Sequence, residues 1–298
     1  MTEHTLTRKQ FDILTFLAQC PRKVNQRMVS TAAGISLATA NRVIAALTEL
    51  GYLHNYQLTD AGYGALEPYR ARRAIFLAAG FGHRLLPITL NTPRPLIRIK
   101  GIRLIDTMLD AVLAAGIEEI YIVRGYLGEQ FDQLLSKYPM IRLIDNPLYN
   151  ESFNISSAFC VRHLLKNAYV LESDLLLKRP ELIQKYQYCS NYLGVPVEKT
   201  DDWCFQEKNG VIQSVSIGGK NGYHMFGISY WNTDDGAKLC EDIRHVYEQP
   251  GGKERYWDLV PLQYCKEHYQ VEARTCSFDD IAEIDTIADL KRLDPTYV

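Results

Sequence analysis

Over 7–19, apolar residues return every three or four positions (Phe11, Leu14, Phe16, Leu17, Ala18), a helical spacing that ends where Cys20-Pro21 blocks continuation. A second helix fits 25–33. Gly34 suits the tight turn after it, and Ser36 is a suitable N-cap for a third helix striped by Ala40, Val43, Ile44, Leu47 and Leu50 and stopped at Gly51. This is helix–turn–helix spacing, and 52–58 can supply two short strands behind it. From Arg73 the pattern becomes one of short, almost continuous apolar runs separated by amphipathic stretches: strands at 74–77, 120–123, 141–145 and 168–172, with helices at 104–115, 127–137 and 156–165. Apolar strands alternating with helices predict right-handed crossovers and a mostly parallel sheet covered on both faces.

Two units are therefore expected: 1–67, then a linker at 68–73, then 74–298. Charge separates them. Residues 1–73 carry 9 Lys+Arg against 5 Asp+Glu, and the remainder 24 against 30, although the whole chain is only −2. A mildly basic first unit is compatible with a polyanion partner, and an acidic second one with a metal-using enzyme. At 47% hydrophobic and 23% charged residues the 298-residue chain can bury ordinary globular cores. Its longest apolar runs, 74–80 and 120–123, fall far short of the roughly 20 residues that span a bilayer. With no basic-then-apolar leader at the N-terminus, a cytoplasmic location away from membranes is expected. The seven cysteines are scattered without a C-x-x-C pair, so neither a disulfide framework nor a zinc knuckle is indicated.

The segment Thr59-Asp60-Ala61-Gly62 resembles the L-T-x-x-G stretch that follows the wing in bacterial winged-helix regulators. That resemblance implies a winged helix over 1–67. Bound to double-stranded DNA, it would turn Ser36, Thr39, Asn41 and Arg42 toward the major groove, with Arg22, Lys23 and Arg27 available for phosphates. A docking or dimerisation module is the other reading of the same helices.

The sharpest chemical signal follows the first strand of the second unit: Leu77, Ala78, Ala79, Gly80, Phe81, Gly82, His83 and Arg84, then Thr92-Pro93-Arg94-Pro95-Leu96. Small residues and glycines let a backbone approach a ligand closely and aim its N–H groups at phosphate oxygens. Arg84 and Arg94 add charge in a planar fork that grips two phosphate oxygens at once. Asp174 ends the apolar run 168–172, where an open α/β sheet places its ligands, and a carboxylate there suits Mg²⁺. Glu172 is expected to be a structural neighbour. Asp285, read alone, is a helix N-cap.

The loop resembles the L-A-A-G-x-G-(S/T)-R…T-P-K-x-L signature of nucleotidyltransferases that make nucleotide sugars and related activated alcohols. His83 stands in place of Ser or Thr, and Arg94 in place of Lys. Further pieces in order (Asn146-Pro147-Leu148-Tyr149, Glu172-Ser173-Asp174, Asp202-Trp203, Tyr256-Trp257-Asp258, Glu283-Ile284-Asp285) make 74–298 similar to the bacterial CTP:phosphocholine cytidylyltransferases. Phe153 replaces an asparagine and Asp202 a glutamate of that pattern.

The resemblance implies a Rossmann-like α/β fold of the nucleotide-diphospho-sugar transferase type, its mostly parallel mixed sheet sandwiched by helices. It makes Asp174 and Asp285 a Mg²⁺ pair, and the loop with Arg84 and Arg94 a cradle for CTP. Asn154 would lie near the nucleotide. A quaternary ammonium donates no hydrogen bonds and is held by aromatic faces plus carboxylates. Tyr192, Asp202, Trp203, Tyr230, Trp231, Tyr256, Trp257 and Asp258 are therefore the candidates for binding phosphocholine, although ordinary core packing accounts for any single aromatic equally well. Two other readings stand: transfer to a sugar 1-phosphate or another phosphorylated alcohol, and a regulator whose transferase-derived domain senses a ligand. Oligomeric state is open, with a homodimer one possibility.

Overall fold

The computed structural model describes residues 5–20 and 24–297. The chain divides into two compact units, Met1–Arg70 and Ala71–Val298. Arg22 and Lys23, expected beside phosphates, lie outside the described residues.

In the first unit, helices α1 (Arg8–Gln19), α2 (Gln26–Ala32) and α3 (Leu37–Glu49) precede a two-stranded ribbon of β1 (Leu53–His54) and β2 (Gln57–Leu58), then α4 (Asp60–Leu66). The boundaries follow from the caps. Thr7 and Gln10 form a capping box, and Asn25, Ser36 and Thr59 each accept an amide from the first turn of the helix they start. Asn55 and Tyr56 take the left-handed backbone of the ribbon's two-residue turn. Gly62 is required where it stands, because a Cβ there would lie 2.2 Å from the Tyr52 carbonyl oxygen.

The second unit begins with β3 (Arg73–Ala78), the small ribbon β4 (Arg98–Ile99) and β5 (Ile102–Arg103), α5 (Leu104–Ala114), β6 (Glu119–Arg124), β7 (Ile141–Asp145) and α6 (Ile155–Val161). It continues through β8 (Ala168–Glu172), β9 (Leu175–Leu177), β10 (Asn191–Lys208), β11 (Val211–Trp231), α7 (Thr233–Glu248), β12 (Glu272–Thr275), β13 (Ile281–Glu283) and α8 (Ile287–Leu293). Seven strands form one sheet in the order β10-β12-β11-β8-β3-β6-β7. Pairs β8–β3, β3–β6 and β6–β7 are parallel, whereas β11 runs antiparallel to β8 and to β10.

The side-chain period of two explains how β3 anchors both faces. Ala74, Phe76 and Ala78 join the core beneath α5, while Ile75 and Leu77 join the core beneath α6 and α7. Each fully buried large apolar side chain contributes roughly 1.5–3 kcal/mol. That anchoring fixes the end of β3, and with it the start of the glycine loop.

Two expected helices differ, and that over 156–165 is α-helical only to Val161, closing with a 3₁₀ turn, Arg162–Leu164. The helix foreseen over 127–137 is a 3₁₀ helix, Gly128–Ser136. Leu127 sits in the left-handed region at φ 48°, and Arg124 takes the Gly128 carbonyl at 3.0 Å while pairing with Asp132 and Asp145, so the α ladder never starts. No helix among the described residues is long and apolar enough to cross a membrane.

Candidate active site

The parallel strands deliver their carboxyl ends to one edge, where a cavity of about 440 Å³ opens between the glycine loop and the hairpin β10–β11. Leu77, Ala78, Ala79, Gly80, His83, Arg84 and Arg94 line it from the loop side. Phe81 and Gly82 do not. The Phe81 ring lies against those of His83, at 4.2 Å, and Tyr126, at 4.0 Å. Gly82, at φ 71°, makes the turn itself; a Cβ there would come within 3.1 Å of Thr89 Cγ2 and 3.3 Å of Arg94 Cβ.

Asp174 and Asp285 meet through a minimal device. β9 and β13 pair antiparallel with Leu175 opposite Glu283, so the two aspartates flank the same end of this ribbon; Asp174 and Glu283 line the cavity, whereas Asp285 lines an adjoining one with Asp202 and Glu283. Carboxylate oxygens of Asp174, Glu283 and Asp285 all lie within 4.8 Å of one another. Arg94 bridges the aspartates, 2.6 Å from Asp174 Oδ2 and 3.0 Å from Asp285 Oδ1, and Arg84 reaches the same Asp285 oxygen at 2.6 Å. Asp174 Oδ1 is buried and accepts no hydrogen bond from any described residue.

The cluster is over-supplied with negative charge. Burial, and then repulsion from Asp174, Asp285 and Asp202, pushes the Glu283 carboxyl up to about 9. Burial, followed by Asp174 and Asp258, pushes Glu172 up to about 8. Asp285 moves up through burial and Asp174, against the pull of Arg84 and Arg94. Burial works against the Arg94 charge, but Asp174, Asp285, Glu283 and Glu172 together outweigh it and hold its proton more tightly than usual. Hard oxygen donors at this spacing, excess negative charge and an unsatisfied Asp174 oxygen fit a divalent cation such as Mg²⁺.

On the opposite wall, Tyr192, Asp202, Trp203 and Asp258 line the cavity, joined by Tyr256. The Trp203 ring stands edge-on to Tyr256 at 5.6 Å, and Phe153 packs on Tyr256 at 5.1 Å, giving an open aromatic corner beside Asp202. The Tyr192 hydroxyl donates to Asp258 Oδ2 at 3.1 Å. Burial nonetheless pushes the Asp258 carboxyl up to about 6.

Three expected acceptor residues are corrected. Tyr230 and Trp231 are fully buried and do not reach the cavity: the Tyr230 hydroxyl donates to Asn167, and the Trp231 indole to Ser229. Their strand is buried on both faces, so neighbouring aromatics both pack into core. Trp257 is also buried, and its indole N–H donates to Glu172 Oε1 at 3.2 Å. Asn154 lines the cavity with both ends of its amide engaged, donating to Glu172 Oε1 at 3.0 Å and accepting from the Trp257 backbone N–H at 3.0 Å. Glu172, expected only as a neighbour, lines the cavity too. Glu172 and Glu283 could have been found by the strand period, since each lies two residues before a singled-out aspartate.

In the first unit, Asn41 and Arg42 are exposed on α3, while the Ser36 hydroxyl caps that helix and pairs with Thr39 Oγ1 at 2.9 Å. A second group of metal-capable side chains, Asp242, Cys265 and His268, is already tied together: His268 Nδ1 lies 2.8 Å from Asp242 Oδ2, which also accepts from Tyr269.

Residues 73–188 match the family model described as Nucleotidyl transferase, and residues 7–55 the IclR helix-turn-helix domain. The chain is 34% identical to 2-aminoethylphosphonate cytidylyltransferase of Lancefieldella rimae over 76% of its own length and 93% of that protein's. It is 32% identical to choline-phosphate cytidylyltransferase of Streptococcus pneumoniae over 74% and 96%. The chain belongs to the cytidylyltransferase family of nucleotidyltransferases. A solved structure of CTP:phosphocholine cytidylyltransferase from Streptococcus pneumoniae superimposes with a TM-score of 0.70 at 30% identity, covering 77% of this chain and all of that one. In this member of the family, the matched relatives align with about three quarters of the chain, and an IclR-type helix-turn-helix domain precedes the transferase fold. These relatives are named for different acceptors, so membership fixes the reaction type and leaves the acceptor open.

Proposed function

We propose that this chain transfers a cytidylyl group from CTP to a small phosphorylated alcohol with a cationic head, phosphocholine first, releasing pyrophosphate. The observation that carries this reading is the convergence of Asp174, Glu283 and Asp285 with Arg84 and Arg94 beside the glycine loop, all but Asp285 lining its cavity. Backbone N–H groups over 77–83 would hold the triphosphate, and the two arginines would take charge developing on the α-phosphate and the leaving pyrophosphate. Asp174 and Asp285 would hold Mg²⁺, which when bound supplies Lewis-acid neutralisation of the same phosphates. An acceptor phosphate is already anionic at neutral pH, so no general base is needed. The protein orients the two substrates for in-line displacement, in which a bond from acceptor oxygen to α-phosphorus forms as the bond to the bridging β-phosphate oxygen breaks. Asn154 acts as a positioning residue, fixing Glu172 and the Trp257 backbone behind the acceptor wall.

The open corner of Phe153, Tyr256 and Trp203 beside Asp202 supports a quaternary ammonium. A second reading, 2-aminoethylphosphonate as acceptor, is favoured by Asp202 and Asp258. These carboxylates can accept hydrogen bonds that a primary ammonium donates and choline cannot. The deciding experiment incubates purified protein, CTP and Mg²⁺ with phosphocholine, 2-aminoethylphosphonate and a sugar 1-phosphate separately, reading products by mass spectrometry and pyrophosphate by a coupled assay. CDP-choline or CMP-aminoethylphosphonate as product supports the reading. A nucleotide sugar redirects the acceptor, and CTP binding without any product would make the domain a sensor. The helix-turn-helix unit we assign to double-stranded DNA, through the exposed Asn41 and Arg42 of α3.

A further inference from the structure

We infer that Arg94 is the site's resident cation: without nucleotide its guanidinium occupies the place between Asp174 and Asp285, so a divalent ion binds tightly only with the triphosphate that draws the arginine away. The inference rests on the metal assignment proposed above and adds an order of events to it.

The distances support it. One guanidinium nitrogen is 2.6 Å from Asp174 Oδ2 and the other 3.0 Å from Asp285 Oδ1, and oxygens of those carboxylates lie within 4.8 Å of each other and of Glu283. A bridging ion would use the same oxygens. An arginine does not lose its proton in a protein, so it cannot vacate the position by becoming neutral. It leaves only when another anion offers a better partner.

Its match to the site is also incomplete. The arginine balances charge but serves only one oxygen of Asp174, leaving Oδ1 buried without a donor among the described residues. An ion that replaced it could take up that oxygen.

The place where the arginine pivots points to what moves it. Arg94 opens a single 3₁₀ turn between Pro93 and Pro95, so its backbone is held and only the side chain has to swing. Its Cβ is packed against Gly82, close enough that a Cβ on that glycine would come within 3.3 Å. The stem of Arg94 therefore lies on the loop assigned to the triphosphate. A nucleotide seated on that loop offers phosphate oxygens to the guanidinium and, at the same time, to an incoming ion. Metal and nucleotide affinities are then coupled reciprocally, each raising the other by the same factor.

The test uses Mn²⁺, an oxygen-preferring ion whose free form is read by electron paramagnetic resonance. The full chain is titrated with and without a non-hydrolysable α,β-methylene analogue of CTP, and uptake by the analogue alone is subtracted. Without nucleotide, Arg94→Met should bind Mn²⁺ about ten-fold more tightly than the wild type, because a unit positive charge has left the carboxylates. With the analogue, the wild type should bind Mn²⁺ and the difference should shrink. Circular dichroism checks the fold, and Arg94→Gln replaces the methionine variant should that one fail to fold. Equal Mn²⁺ affinity of wild type and variant without nucleotide, when the wild type makes a cytidylylated product, would overturn the arginine's role and leave cytidylyl transfer standing. Absence of Mn²⁺ uptake by every form, analogue included, would take the metal assignment down with it.

Discussion

The backbone amide of Ile284 donates to the carbonyl oxygen of Asp174 at 2.9 Å, which locks the two acid-bearing strand ends at one height. Asp174→Asn keeps this bond and the side-chain volume but removes a charge. Turnover should fall about 100-fold or more, since several kcal/mol of charge stabilisation is withdrawn. The far-ultraviolet circular dichroism should be unchanged. Steady-state kinetics on the folded variant check this, and turnover near the wild-type value would remove Asp174 from the metal pair.

Trp203 and Tyr256 form the exposed aromatic corner, with ring centroids 5.6 Å apart. Trp203→Ala should raise KM for the acceptor roughly 2- to 30-fold, the value of one cation–π contact, and leave KM for CTP unaltered. A neutral isostere of phosphocholine, with carbon in place of the ammonium nitrogen, should bind wild type and variant alike. If the isostere competes as well as phosphocholine in the wild type, the corner does not read charge.

The Asp258 carboxyl is pushed up to about 6 by burial, against the Tyr192 hydrogen bond that favours its ionised form. An unfolded aspartate titrates near 3.9, so between about pH 4 and 6 the folded chain holds a proton that the unfolded chain has released. Stability therefore falls as pH rises through that window. Asp258→Asn has no such proton, and its stability relative to wild type should improve across the window by at most about 3 kcal/mol. Urea denaturation at a series of pH values measures it, and a pH-independent difference would refute the assignment.

Asn41 and Arg42 are exposed on α3, whose N-cap is Ser36. Once a binding duplex has been selected from a random pool, Asn41→Ala and Arg42→Ala should each weaken it by about 1–3 kcal/mol if they touch base edges. If Arg42 meets only phosphate, its loss should lower the salt slope by about one and weaken all duplexes alike. Fluorescence anisotropy at several salt concentrations separates these cases, and no selected duplex at all would favour a docking role.

The parallel half of the sheet was legible because strands buried on both faces must be nearly continuous apolar runs, as β3, β6 and β8 are. Asp174 was legible for the same reason, two residues beyond the end of such a strand. Asp285 was not, because it reaches Asp174 through two strands of three residues, and a pairing that short leaves no periodic trace. The hairpin was hidden as well. β10 and β11 mix polar and apolar positions and slip register repeatedly, as between Thr200 and Trp203, so alternation never persists long enough to declare a strand. The packing of Tyr230 and Trp231 followed from that hidden strand. Once β11 is known to be sandwiched, neither ring is free to face a ligand.

That irregular hairpin has an evolutionary corollary. Tyr192, Asp202 and Trp203 sit on one arm and Met225 and Gly227 on the other, whereas the glycine loop and the acid pair belong to other segments. On the proposed function, exchanging residues along this one excursion would retune which acceptor is taken without disturbing the residues assigned to the nucleotide. A lineage could thus diversify its products by drift in a single supersecondary element.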